Sequence, residues 1–347
     1  MEDFLGIVEE SFSELKDYRR EEGQRHPLIN LIVISVCAII ANADSEQDIA
    51  EYAAAKKAWL ETFLVMNHGT PSVSTIKRFF EFIDPEQFAN CFSNFVKKIP
   101  IKKLGKHIAL DGKTLRSSYD EVKGVVSTHI VNAMETELGL TLAQVKTETK
   151  SNEITAIPRI IDLINIEKVL VTIDAMGCQK AIAELIRKRD GDYLLALKSN
   201  HPKLHEEVIN LFDKLKEKDL QEEYRSKRTV DKGHGRIEER EYFTISAEKL
   251  SLNERRQWSS IKSVVCTTTK RQEISTGKVS IETRYFISSL DFEEIDKISN
   301  SIRRHWGIEN SLHYVLDMTF DEDASRIRAG NAAEVFSAAR KLALNIS

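Results

Sequence analysis

The sequence predicts an α/β protein: a mixed β-sheet core, a small helical bundle in front of it and a β-rich insertion inside it. Three observations predict this. Residues 1 to about 100 read as helices separated by short, capped turns. From Lys106 the pattern changes to three consecutive strand-like runs and then to alternating helix and strand, as in a mixed α/β layer. Between about 221 and 292 that alternation gives way to strand-like runs with glycine turns, before helical periodicity resumes. At 347 residues the chain is long enough for two domains, and the change of pattern divides it into 1–100 and 101–347.

The elements follow in order. Glu2 to Glu22 is charged and amphipathic, and His26-Pro27 opens the most apolar run, Leu28 to Ala43. That run is shorter than the roughly 20 residues a membrane span needs and contains Asn30 and Asn42, so it reads as a buried core helix. Asp44-Ser45-Glu46-Gln47 starts the next helix with acids in the first turn, where the helix dipole favours negative charge. Gly69-Thr70-Pro71-Ser72 is a break, Ser72 or Ser74 caps a helix over Thr75 to Ile83, and Asp84-Pro85-Glu86 starts another. This bundle is either a packing domain or a DNA-binding one that exposes Thr75, Lys77 and Arg78. Strands are expected at 107–115, 125–135 and 139–148, then a helix over Glu153 to Ile164 despite Pro158. A strand at 168–174, a helix at 178–189, a strand at 192–198 and a helix at 202–217 follow. In the insertion Arg236 to Ser246, Ile261 to Thr269 and Val279 to Ser288 read as strands. Gly233-His234-Gly235 and Thr276-Gly277 are its turns.

With 41% hydrophobic and 30% charged residues the composition is that of a soluble globular protein. A net charge of −4 excludes a uniformly basic nucleic-acid coat but leaves room for patches. From Val96 to Ser118 seven basic residues face one acid, Asp111, and from Tyr224 to Arg240 six face three acids. Cys37, Cys91, Cys178 and Cys266 are far apart and read as reduced thiols of a cytosolic protein. No secretory signal is visible.

Three carboxylates carry most of the chemistry. Asp111 lies in His-Ile-Ala-Leu-Asp-Gly-Lys-Thr (107–114), Asp174 ends the apolar run Val-Leu-Val-Thr-Ile-Asp (169–174), and Glu309 lies on an expected helix in Arg-Arg-His-Trp-Gly-Ile-Glu-Asn (303–310). An acid at the end of an apolar strand is costly to bury unless a cation or hydrogen bonds compensate it. Two such acids with a helical Glu suggest a cage for hard divalent ions. Taken singly, Asp111 before Gly112 also fits a turn, Asp174 a helix N-cap, and Glu309 a solvent-facing helical residue.

Five motifs in this order resemble the bacterial insertion-sequence DDE transposases called H-repeat-associated proteins, which have a ribonuclease H-like core. They are Asp-Gly-Lys-Thr-Leu-Arg (111–116), Thr-Ile-Asp-Ala-Met-Gly-Cys-Gln (172–179), Tyr-Leu-Leu-Ala-Leu-Lys-Ser-Asn (193–200), Gly-His-Gly-Arg-Ile-Glu (233–238) and His-Trp-Gly-Ile-Glu-Asn-Ser-Leu-His-Tyr-Val-Leu-Asp (305–317). Gly-Thr-Pro-Ser (69–72) and Ile-Asp-Pro-Glu-Gln-Phe (83–88) resemble the N-terminal domain associated with them. The resemblance spans nearly the whole chain. It implies metal-dependent cleavage and strand transfer at the ends of an insertion element, with Asp111, Asp174 and Glu309 as catalytic metal ligands for Mg²⁺ or, as a substitute, Mn²⁺. Asp111 would bridge both ions, Asp174 hold one and Glu309 the other. The implied partners are double-stranded DNA, as terminal inverted repeats and target, and further copies of the chain on that DNA. The implied location is cytoplasmic and nucleoid-associated.

Lys113, Arg116, Lys198 and Asn200 lie near strand ends on the side of the acids and are candidates to hold phosphates; His234 and Arg236 are candidates to grip a DNA end. The broader superfamily often carries Tyr-x2-Arg-x3-Glu-x6-Lys around its last acid. Here those positions hold Ile302, His305 and Leu316, and Arg303 or Arg304 would restore the missing positive charge. The chain also ends inside an apparent helix, where relatives continue, which suggests a C-terminal truncation. Two rival readings remain. One is a non-catalytic DNA-binding protein derived from a transposase. The other is a zinc hydrolase using His305, Glu309 and His313, which recur at i, i+4 and i+8, although Gly307 weakens that helix by about 1 kcal/mol. Asp323 is a further acid near Glu309, and Asp317, two helical turns beyond it, is the fallback ligand.

Overall fold

The computed structural model describes residues 2–20, 23–99, 105–119, 126–147, 153–218, 223–233 and 235–347. The front of the chain is helical as expected: α1 (Glu2–Phe12), α2 (Leu28–Ile40), α3 (Glu46–Ala55), the short α4 (Lys57–Leu60), α5 (Val73–Phe82) and α6 (Pro85–Lys98). The caps are those the sequence announces. Ser45 and Asp48 form a capping box, Ser72 accepts from the Thr75 amide, and Asp84 accepts from the Gln87 amide with Pro85 behind it. Helix α2 is buried along most of its length, because nearly every side chain is apolar. Among the described residues no helix is long and apolar enough to cross a membrane.

The strands are β1 (His107–Thr114), β2 (His129–Glu135), β3 (Leu140–Thr147), β4 (Leu170–Ile173), β5 (Asp192–Leu197), β6 (Tyr224–Gly233), β7 (Arg236–Ser246), β8 (Ser263–Glu273) and β9 (Val279–Ser288). Helices α7 (Glu153–Leu163), α8 (Lys180–Lys188) and α9 (Pro202–Lys218) separate β3, β4, β5 and β6. The short α10 (Leu252–Arg255) follows β7, and α11 (Ile295–His305) follows β9. A π-helical segment (Ile308–His313), α12 (Tyr314–Met318) and α13 (Ala332–Ile346) complete the chain.

The strands form one mixed sheet in the order β3-β2-β1-β4-β5-β9-β8-β7-β6. Strands β1, β4 and β5 run parallel, and β2 and β3 form an antiparallel hairpin; this is the ribonuclease H-like core. The insertion differs from the expectation of three strands. It has four, β6 being the addition, and all four extend the main sheet edgewise beyond β5. The sequence of β6, Tyr-Arg-Ser-Lys-Arg-Thr-Val-Asp-Lys-Gly, hides its strand character because it lies at the sheet edge and buries little.

The chain divides into two compact units that interleave along the sequence, whereas 1–100 and 101–347 are consecutive. One comprises 1–104, 112–164 and 307–347; the other comprises 105–111 and 165–306. In the first, α13 packs against α2, α5, α6 and β3, with the Phe336 ring tilted against Phe80 at 4.8 Å between ring centroids. In the second, α11 covers one sheet face through Leu170, Leu194, Tyr242, Val265, Leu290, Ile298 and Ile302.

Candidate active site

Two of the three carboxylates come together in the second unit. The parallel register pairs Leu110 with Ile173, so Asp111 and Asp174 are the next residues on two neighbouring strands. Neighbouring strands lie about 4.8 Å apart, and residues paired across them face the same side. Asp111, in the middle of β1, and Asp174, the residue after the C-terminal end of β4, therefore lie side by side, and both are half-buried. Asp174 does not cap the helix that follows. The cap position of α8 is Gln179, while Asp174 accepts from the amides of Met176 at 3.0 Å and Gly177 at 3.3 Å. It closes the turn of its own loop.

That loop is braced from β5. The Asn200 amide donates to the carbonyls of Ala175 at 2.8 Å and Cys178 at 3.5 Å, and His201 Nε2 lies 2.6 Å from the Cys178 carbonyl. The two motifs 172–179 and 193–200 are thus one construction, and Asn200 is committed to backbone rather than held out for phosphate. Lys198, in contrast, is exposed.

A buried polar chain runs along the same face. His107 Nε2 and His305 Nδ1 each lie 2.8 Å from the Thr172 hydroxyl. Thr172 is two residues before Asp174 on the same side of β4, so the end of α11 is fastened to the strand that carries Asp174. Burial pushes His305 down to about 4, against the upward pull of the Asp174 charge. Burial, with the nearby His305 and Arg304, pushes His107 down to about 3. Both shifts favour the neutral rings, and the Thr172 hydroxyl, with one donor and two lone pairs, can bond both of them.

In the first unit, Lys113 departs from the phosphate role expected of it. It is 7% exposed and clamped by carboxylates: Asp317 at 2.5 Å, Asp323 at 3.2 Å and Glu322 at 3.6 Å. Asp317, the fallback ligand, is committed to that lysine. Arg116 is exposed and paired with Asp323 at 3.2 Å. Glu322 is fully buried, accepts from Ser337 at 2.7 Å and lies 3.8 Å from the buried Lys341. Beside Gly112, His129 Nε2 lies 2.6 Å from Glu153 and His129 Nδ1 lies 2.8 Å from the Thr114 hydroxyl.

Glu309 is exposed and lies in the π-helical segment, a departure from α geometry that recurs at functional sites. The same segment breaks the α spacing on which a shared face for His305, Glu309 and His313 depends. His305 bonds Thr172, and His313 Nε2 lies 3.4 Å from the Asn132 amide. Among the described residues no group of three or more His, Cys, Asp and Glu side chains is gathered to hold a metal ion, and this applies to Asp111, Asp174 and Glu309 as it does to His305, Glu309 and His313. Of the remaining candidates, Arg303 pairs with Asp231 at 3.1 Å, Arg304 is exposed, Arg236 pairs with Glu238 at 2.8 Å, and His234 lies outside the described residues. Sequence reasoning missed Thr172, His107 and Glu238. Only Glu238 left a legible signal, the same-face alternation Arg236-Glu238-Arg240.

Residues 102–346 match the model of the transposase DDE domain, and residues 9–96 match the model of the domain associated with it. YncI of Escherichia coli O157:H7, which is named provisionally as a transposase, is 39% identical over 342 residues, 96% of this chain and 85% of that protein. YhhI of Escherichia coli strain K12, named provisionally as an H repeat-associated transposase, is 36% identical over 339 residues, 97% of this chain and 89% of that protein. Among solved structures, the chain is similar to a piggyBac transposase in a synaptic complex with hairpin DNA. The TM-score is 0.44 at 12% identity, covering 99% of this chain and 71% of that one. The chain belongs to the family of transposases that carry this DDE domain and its associated domain.

Proposed function

We propose that this transposase cuts and rejoins DNA at the ends of an insertion element, using Asp111, Asp174 and Glu309 to hold Mg²⁺, with Mn²⁺ as a substitute. The observation that carries the proposal is the parallel register of β1 and β4, which pairs Leu110 with Ile173 and so makes Asp111 and Asp174 neighbours across the two strands. Two carboxylates one strand spacing apart repel each other, and a hard cation between them offsets that cost. The donors are all oxygens, which suits Mg²⁺ or Mn²⁺ better than a softer metal. Two such metal ions, when held by these carboxylates, would activate a water and stabilise the leaving oxygen of a phosphodiester. The chain's own residues orient the donors. The Met176 and Gly177 amides fix the Asp174 carboxylate, Asn200 and His201 hold its loop, and Thr172 anchors His305. Glu309 is proposed as the third ligand on the motif His-Trp-Gly-Ile-Glu-Asn (305–310) alone. Lys198, Arg116, Arg236, Arg303 and Arg304 are proposed contacts to the DNA backbone. Residues 1–100 are proposed as the associated domain and 101–347 as the catalytic domain, acting as a homo-oligomer on terminal inverted repeats and target DNA.

The test uses the purified full chain and a labelled duplex bearing the element's terminal repeat. Cleavage is expected in Mg²⁺ or Mn²⁺, and Asp111→Asn or Asp174→Asn should abolish it while sparing DNA binding. Metal-independent binding without cleavage would instead establish the DNA-binding reading.

A further inference from the structure

The sheet face that carries Asp111 and Asp174 continues, strand by strand, onto the insertion. Thr172 pairs with Leu194, Leu194 with Ser288, Ser288 with Ser263 and Ser263 with Ser246. Side chains alternate along a strand, so Arg236, Glu238 and Arg240 of β7, Arg271 of β8 and Asp231 of β6 share this face. Two acids organise the arginines here. Glu238 is 6% exposed and takes Arg236 Nε and Arg271 Nε, each at 2.8 Å, on one oxygen and Arg240 on the other. Asp231 takes Arg240 at 2.6 Å and Arg303 of α11 at 3.1 Å. Four arginines on two carboxylates leave a net charge of +2. Burial alone would raise the Glu238 carboxyl, but the Arg271 hydrogen bond and the Arg240 and Arg236 charges hold it below the usual range. Arg236 and Arg271 meet Glu238 through Nε, which leaves the two amino groups of each fork outside that contact, and both side chains are about half exposed.

We propose that Glu238 is the organising centre of an arginine grip for the sugar–phosphate backbone of duplex DNA, formed by Arg236, Arg240, Arg271 and Arg303. A guanidinium bonds phosphate through two parallel N–H groups, but only if its plane is fixed. A buried carboxylate shared by three guanidinium groups fixes the planes at the cost of one charge. The grip rests on the transposase reading for its ligand, but it does not depend on cleavage.

The consequence runs against simple electrostatics. Removing an acid from a DNA-binding surface ordinarily tightens binding. Here Glu238→Gln should weaken it by roughly tenfold at moderate salt, because the arginines lose their common anchor. The experiment is binding of the full chain to a fluorescent duplex in EDTA, over a series of salt concentrations. Glu241→Gln, on the opposite face of β7, is the control for loss of an acid and should not weaken binding. The double variant Arg236→Ala/Arg271→Ala keeps Glu238 and should lower the salt slope by about 2. If Glu238→Gln lowers the unfolding temperature substantially, the double variant decides. Binding by the folded Glu238→Gln or by the double variant that equals the parent overturns the grip. A parent that does not bind duplex overturns both the grip and the transposase reading. A parent that binds through these arginines but does not cut in Mg²⁺ overturns only the catalytic reading.

Discussion

Gly112 has no room for a side chain. A Cβ there would meet Glu153 Oε1 at 2.2 Å and His129 Nε2 at 2.6 Å, both held by their own short hydrogen bond. Neither partner is the loose end of an exposed side chain. Gly112→Ala should therefore destabilise the protein by about 1–3 kcal/mol or more, measured by denaturant unfolding. The glycine of the Asp-Gly-Lys-Thr motif is thus a packing requirement, and the turn reading of Asp111-Gly112 is replaced by a continuous strand. Asp174→Asn is the cleanest probe of the carboxylate charge. An amide oxygen still accepts from Met176 and Gly177, so the loop should hold and thermal stability should change little, while cleavage is lost.

At the scale of elements, α11 and β4 are joined by one hydroxyl. Thr172→Val keeps the shape and removes the group that His107 and His305 share. The expected cost is about 1–3 kcal/mol, with cleavage falling more than DNA binding, read from paired unfolding and binding measurements. Helix α13 poses a different problem, because Arg340 and Lys341 are buried on it among apolar neighbours. Lys341 is pushed down to about 8 by burial, against the pull of Glu322. A lysine with a depressed folded pKa binds fewer protons folded than unfolded between about 8 and its ordinary 10.5. Stability should therefore rise with pH across that window, and Lys341→Met should lack this rise when the two proteins are compared. Glu322→Gln leaves Lys341 and Lys113 without their shared carboxylate and should cost about 3–5 kcal/mol at neutral pH.

For the whole molecule, the interleaving of the units decides what a truncation does. Helices α2, α5 and α6 pack on α13: Phe80 meets Phe336 ring to ring, the Asn331 amide donates to the Glu81 carbonyl at 3.1 Å, and its side chain donates to the Ile83 carbonyl. The Gly330 backbone lies so close to Glu81 that a Cβ would fall 2.6 Å from the Glu81 carbonyl oxygen. The fragment 101–347 exposes that face of α13 and should lose cooperative unfolding or aggregate. Near-ultraviolet circular dichroism and scattering would show this, and a fragment that melts cooperatively would contradict it. The role of Lys77 and Arg78, which are exposed on α5, is then better tested by substitution in the full chain than by deletion.

Local periodicity and capping determined the elements. The alternation of β4, α8 and β5, the caps at Ser72 and Asp84 and three of the insertion's four strands are written in residues a few positions apart. The motif order determined the family, and Asp111 and Asp174 stand out in the sequence because an acid following an apolar run is costly to bury unless compensated. Tertiary structure alone decided which of the polar residues near them are already engaged by other groups. Lys113 and Asn200 look available in sequence, but one is neutralised by acids about 200 residues away and the other is bound to a neighbouring loop. Thr172 reads as filler in a buried strand, yet it carries two imidazoles. Hydrogen bonds and ion pairs depend on distance in space, and the sequence sets that distance only through the completed fold.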